Sequence, residues 1–294
     1  MEDKKVIYMT YKRNIPEKVK QNWIDYNNDY EIDFSFDKDC IDFLKINFNN
    51  EVAKLFQVIK KGMFKADLWR ICKLYRNSGI YSDIDLVPYF KIDDLDKNIS
   101  FYSCLAGGNV SAIFQAIIIN FSKPKHPLFL VFLLSFIINK AYNNYNNGPT
   151  YDMYNCIKYI LGTKKLLPHK KYEVEIIKIK ICIGRSLKNL KIINLTYFPE
   201  EIEYTIKLHK NRYNDSFHFK IINNQLIIKR EDKDCGWGYN HYIDICFPCK
   251  TSFFFFQEYY EKNKIKDAYV IHENKKILDS RIEGYDRNKG FQTN

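Results

Sequence analysis

The feature that most constrains the fold is a single change in hydrophobic periodicity along the 294 residues. Up to about Pro168, strand-like alternation and helix-like spacing take turns. Beyond it, short β-type runs between turn residues replace helical spacing almost entirely. Interleaved strands and helices are the pattern of an α/β layered structure, and the strand-only remainder adds a smaller β-rich region. A chain of this length exceeds the usual size of one domain, so two parts are expected, 1–200 and 201–294.

In the first part, Val6 to Tyr11 reads as a strand. Pro16 then opens a helix reaching Tyr26, with Val19 and Trp23 on its apolar side. Tyr30 to Phe36 alternates as a second strand, and Cys40 to Phe48 has helical spacing. The longest apolar run, Leu128 to Ile138, falls short of the ~20 residues needed to cross a bilayer and reads as a core helix. The Asn-rich stretch 141–152 is a loop leading into a helix through Leu161. In the second part, FHFKIINNQLIIKR predicts a hairpin turning at Asn223-Asn224, and AYVIHENKKILDSRI a second one around Asn274.

Composition restricts function less. A formal net charge of +11 attracts anionic partners in general. The lysines are dispersed among Asn and Ile, however, with no helix or RNP-like motif concentrating them, so no specific nucleic acid is expected as partner. The eight cysteines follow no secretory leader, and reduced thiols in a cytoplasmic protein without a transmembrane segment are the expectation.

The stretch that carries chemistry runs from Met63 to Tyr89. A helical pattern (MFKADLWRICKLYRN) stops at Ser78-Gly79 and a strand pattern (IYSDIDLV) begins. Phe64, Leu68, Ile71 and Tyr75 share the helix's buried face; Asp67 and Arg70, three apart, are neighbours on another. In the strand, Tyr81, Asp83 and Asp85 share one side and Ile80, Ile84 and Leu86 the other. Two carboxylates thus converge against an apolar backing. Their repulsion calls for a cation between them, and hard oxygen ligands suit Mg²⁺ or Mn²⁺, which would bridge to a diphosphate. A solvated strand end is the plain alternative.

The spacing in FKADLWRICKLYRNSGIYSDIDLVP, Phe64 to Pro88, resembles the signature of glycosyltransferase family 32. Lys65, Ala66, Asp67, Arg70, Leu74, Gly79, Ile80, Tyr81, Asp83 and Asp85 all fall on the family pattern. Ser78 departs from it, standing where the first of two glycines is usual. Val6 to Tyr11 resembles the family's opening strand, with Tyr8, Met9 and Tyr11 in place of the usual side chains, and Asn146 to Thr150 resembles its T-G-P loop.

The resemblance implies a GT-A fold, a Rossmann-like nucleotide-sugar-binding domain. It implies a retaining glycosyltransferase that moves a sugar from a UDP- or GDP-linked donor to a glycan or protein hydroxyl. Asp83 and Asp85 would hold Mn²⁺ or Mg²⁺ and, with Arg70, form the catalytic group. Asp67, Arg70, Tyr81, Thr10, Gly148 and Pro149 would contact the nucleotide sugar. A degenerate domain that binds carbohydrate or nucleotide without turnover is the rival expectation.

Other candidates have plainer readings. Cys235, His241, Cys246 and Cys249 could ligate zinc, but the spacing fits packing thiols better. Trp237 between two glycines could stack on a sugar or pack in a core. His272 reads as structural.

Overall fold

The computed structural model describes residues 5–107, 111–141, 148–184, 191–194, 205–208, 217–222, 225–230, 241–260, 268–273, 275–279, 285–286 and 290–291. The chain divides into two compact units. One comprises Met1–Glu173 with Thr251–Asn294, the other Val174–Lys250.

The first unit opens with β1 (Val6–Thr10), in which Val6 to Met9 are all buried. Pro16, at φ −57°, caps α1 (Glu17–Ile24), whose Val19 and Trp23 are fully buried. β2 (Glu31–Ser35) leads to α2 (Asp37–Asn47), where the Phe36 N–H donates to the Asp39 carboxylate at 2.9 Å. α3 (Asn50–Val58) was not anticipated from the sequence. Its signal was present: the Asn49 side chain accepts from the Glu51 and Val52 N–H groups, and Val52, Ala53 and Phe56 make the buried face. α4 (Gly62–Asn77) then hands over to β3 (Gly79–Ser82) and β4 (Val87–Pro88).

β5 (Phe101–Leu105) and β6 (Ile113–Asn120) follow, then α5 (Pro127–Ala141) and α6 (Gly148–Ile160). α5 is the predicted core helix, and among the described residues no helix is long and apolar enough to cross a membrane. The later strands are β7 (Lys171–Gly184), β8 (Lys191–Asn194), β9 (Thr205–Leu208), β10 (Phe217–Ile222), β11 (Gln225–Arg230), β12 (His241–Tyr260), β13 (Ala268–His272) and β14 (Lys275–Asp279). Both predicted hairpins form. β10 meets β11 with Ile222 opposite Gln225, and β13 meets β14 with His272 opposite Lys275.

Strand order through the first unit is β2-β1-β3-β6-β5-β12-β13-β14-β4. β2, β1 and β3 are parallel, and β6 runs antiparallel to both β3 and β5. β12 joins through Phe253 to Gln257, parallel to β5, which makes the sheet mixed. One face buries Ile7, Met9, Ile80, Ile84, Leu86, Ile117 and Ile119 with Trp23 of α1. In the second unit, β9 pairs with Ile243 to Cys246 of β12, and β8, β11 and β10 form a three-stranded sheet.

Three expectations need correction. The expected boundary between residues 200 and 201 does not coincide with the observed division, because Phe253 to Asp279 complete the first unit's sheet. The strand expected over IYSDIDLV stops at Ser82. The Asp83 N–H is tied to the Ala116 carbonyl at 2.7 Å, Leu86 N–H turns back to the Asp83 carbonyl, and Ile84-Asp85 is a turn. Finally, α4 has no solvated side between Asp67 and Tyr75: every residue there is buried, because α2, α3, α5, α6, β1 and β3 pack around it.

Candidate active site

The link between α4 and β3 is built on two residues at positive φ. Gly79, at φ +96°, has no room for a side chain, since a Cβ there would lie 2.9 Å from the Tyr8 ring and 3.1 Å from the Val6 carbonyl. Ser78 keeps positive φ as well, at 56° with ψ −163°, a region that ordinarily belongs to glycine. A serine therefore occupies a glycine-type backbone position in this turn.

That turn brings α4 alongside the end of β3, where Arg70 becomes the hub. Its Nε donates to the Ala66 carbonyl at 3.2 Å and its Nη1 to the Gln115 carbonyl. Nη2 lies 3.2 Å from Asp67 Oδ1 and 3.3 Å from Asp83 Oδ1, and the guanidinium stacks 4.2 Å from the centre of the Tyr81 ring. The Tyr81 hydroxyl donates to the same Asp83 Oδ1 at 2.6 Å. Tyr81 and Asp83 thus share a side as the alternation predicted, while Ile80, Ile84 and Leu86 lie in the core.

The electrostatics follow from burial. The side chains of Asp67 and Arg70 are only 7% and 4% exposed, so the pair is not the surface ion pair that helical spacing alone would give. Burial, opposed by Arg70, pushes the Asp67 carboxyl up to about 6. Burial alone would pull the Arg70 guanidinium down; Tyr81, Asp83, Asp67 and Asp85 together outweigh it and hold the charge firmly. Burial also drives the Tyr81 hydroxyl well up, so it stays a donor.

Asp83 faces both ways. One oxygen is fixed by Tyr81 and Arg70, whereas Oδ2 has no hydrogen bond among the described residues and the side chain is 33% exposed. Asp85 is partly exposed in the adjoining turn and acts on Arg70 electrostatically. This donor set fits a hard divalent cation: one pinned carboxylate with a spare oxygen and a second beside it. Among the described residues no group of three or more His, Cys, Asp or Glu side chains forms a fuller cage. The remaining ligands of such a cation would come from phosphate oxygens and water.

The other sequence candidates lie elsewhere. The Thr10 hydroxyl donates to the Ser35 carbonyl at 2.9 Å and meets Cys40 Sγ at 3.2 Å, tying β1 to β2 and α2. Gly148 begins α6, and Pro149 is buried, lining a small cavity with Ile71, Phe136 and Met153. None of the three is a polar partner of Arg70 or Asp83. The His272 ring packs against Phe254, Phe256 and His169. Cys246 is buried and Cys249 half-buried, while Cys235 and Trp237 lie outside the described residues. Gln115 is the neighbour that sequence reasoning missed; the only hint was an amide inside the apolar run AIFQAIII.

The mixed α/β sheet places Asp83 and Asp85 just past the carboxyl end of β3, which is parallel to β1, and open α/β sheets ordinarily bind ligands at such strand ends. Residues 16–102 match the family described as "Glycosyltransferase sugar-binding region containing DXD motif", a match that includes the whole stretch resembling family 32. A Candida albicans protein, initiation-specific alpha-1,6-mannosyltransferase, is 32% identical over 104 residues, covering 32% of this chain. The chain spans 27% of that relative's length. Among solved structures, PaToxG Glycosyltransferase aligns at 17% identity and TM-score 0.41, over 53% of this chain and 69% of that one.

Proposed function

We propose that the chain transfers a sugar from a UDP- or GDP-linked donor to a hydroxyl of a glycan or protein, with a divalent cation, Mn²⁺ or Mg²⁺, at Asp83 and Asp85. The observation that carries this reading is the half-fixed Asp83 carboxylate, oriented by Tyr81 and Arg70 with Oδ2 left over. When bound, the cation supplies Lewis-acid stabilisation of the charge that develops on the departing diphosphate.

The chain's own residues do the positioning. Arg70 gives its donors to Ala66, Gln115, Asp67 and Asp83, so its part is to hold Asp83 in place rather than to reach into the donor. Asp67 balances Arg70 within the helix, and the Tyr81 hydroxyl stops Asp83 from rotating. A carboxylate locked in one rotamer loses little freedom when a ligand is bound, which favours catalysis through preorganisation. Retention of anomeric configuration belongs to the same reading. A mannosyl donor is the first to try, because the curated relative is a mannosyltransferase.

The test is release of nucleoside diphosphate from a panel of UDP- and GDP-linked sugars, with and without EDTA. Turnover that EDTA abolishes and Mn²⁺ or Mg²⁺ restores is the expected result. Tight binding of a donor with no turnover in any metal would establish the degenerate binding protein instead.

A further inference from the structure

Gln115 is 2% exposed, yet neither Nε2 nor Oε1 of its side chain has a hydrogen-bond partner. A carboxamide buried with both ends idle is costly, and an apolar side chain of the same length would suit the free chain better. Its place is specific. The Gln115 carbonyl accepts from Arg70, and the next carbonyl, of Ala116, accepts the Asp83 N–H at 2.7 Å. On the β5 side, the register jumps from Ser103 opposite Ile118 to Cys104 opposite Phe114, so residues 115–117 bulge with no β5 residue opposite them, and Ser103 reaches the Ile117 carbonyl only through its hydroxyl. On the other side, pairing with β3 ends at Ser82 opposite Ile117, one residue before Asp83. Bulges beside active sites re-aim a side chain.

We propose that the Gln115 carboxamide is a specificity-determining group that hydrogen-bonds a ring hydroxyl of the donor sugar, swinging from the bulge when donor binds. This rests on the reading of Asp83 and Asp85 as the diphosphate-holding pair. A carboxamide offers one donor face and one acceptor face, and a hydroxyl answers both. A phosphate oxygen only accepts and would leave Oε1 idle. The donor sugar and the ribose are both joined directly to the diphosphate, so hydroxyls of either would come beside Asp83; the affinity for UDP and GDP, which keep the ribose and lack the sugar, separates the two.

The experiment compares wild type with Gln115→Met, which keeps length and removes polarity, and Gln115→Asn, which keeps the amide on a shorter stem. Three quantities are read: melting temperature, Kd for UDP and GDP with Mn²⁺, and KM for UDP-glucose, UDP-N-acetylglucosamine and GDP-mannose. For Gln115→Met we expect a melting temperature higher by about 2–4 °C, an unchanged diphosphate Kd, and a donor KM raised about tenfold. Gln115→Asn should recover part of that KM loss. An unchanged donor KM, an equal loss of diphosphate affinity, or a lower melting temperature from an amide satisfied by buried water would each overturn the assignment. Failure of the wild type to bind either diphosphate with Mn²⁺ would instead refute the underlying reading, and the assignment with it.

Discussion

Replacing Arg70 by methionine tests whether the buried hub, rather than a donor contact, is the main role of this residue. The substitution keeps a similar stem but removes donors that serve Ala66, Gln115, Asp67 and Asp83. Its largest consequence falls on Asp67, which is 7% exposed and has Arg70 as its cationic neighbour. Removing one partner of a buried ion pair costs about 3–5 kcal/mol, and the Gln115 carbonyl, which loses the donor that Arg70 gives it, pushes the loss toward the upper end.

The cost should depend on pH in a defined direction. In the wild type, burial already raises the Asp67 carboxyl from 3.8 to about 6. A raised acid stabilises the fold relative to its charged form only while it is protonated, so that stability is lost as pH rises from about 4 to about 6 and is level above. Without Arg70 the carboxyl rises further, which widens the window over which charging it is penalised. Urea unfolding of Arg70→Met against wild type should therefore show the full loss at pH 8 and about 1–2 kcal/mol less at pH 5. Adding Asp67→Asn should recover about 2 kcal/mol at pH 8 by removing the unpaired charge. A loss below about 1 kcal/mol, or one equal at both pH values, would refute the reasoning.

Two further outcomes follow from the same geometry. Asp83→Asn and Asp85→Asn should each lower sugar-transfer turnover by about 100-fold while moving the melting temperature by less than about 2 °C, because the Asp83 side chain is 33% exposed and Asn still accepts from Tyr81. Wild-type turnover in both would remove the cation from the mechanism. At the α4–β3 turn, Ser78→Gly should stabilise the fold by about 1 kcal/mol by relieving a glycine-type conformation. Gly79→Ala should destabilise it by more than about 1 kcal/mol, with the Tyr8 ring and Val6 carbonyl in the way; chemical denaturation reads both, and opposite signs would disprove the account of the turn.

Local rules were enough for much of this protein. Period-3.6 spacing located α1, α2 and α4, and alternation put Tyr81 and Asp83 on one side with Ile80, Ile84 and Leu86 in the core. The two hairpins were readable because each turn is encoded by residues adjacent in the chain. The i, i+3 spacing of Asp67 and Arg70 likewise ensured that they would meet. What that pair is worth was not local. It depends on four helices and two strands closing around α4, which converts a weak surface contact into a buried hub that grips Asp83.

The same distinction explains the remaining differences. β12 lies parallel to β5, some 150 residues away along the chain, and no periodicity records which distant strand a strand will choose. The boundary drawn from a change in composition therefore fell elsewhere than the boundary set by pairing. Gln115 looked like one polar residue in an apolar run, and only the bulge against β5 places its backbone under Arg70 and leaves its amide unanswered. Sequence determined most of the elements and singled out the two carboxylates as candidates, because helix and strand periods act between near neighbours. Tertiary packing decided burial, and with it charge strength, rotamer and the idle amide, because those depend on which distant groups exclude water from the site.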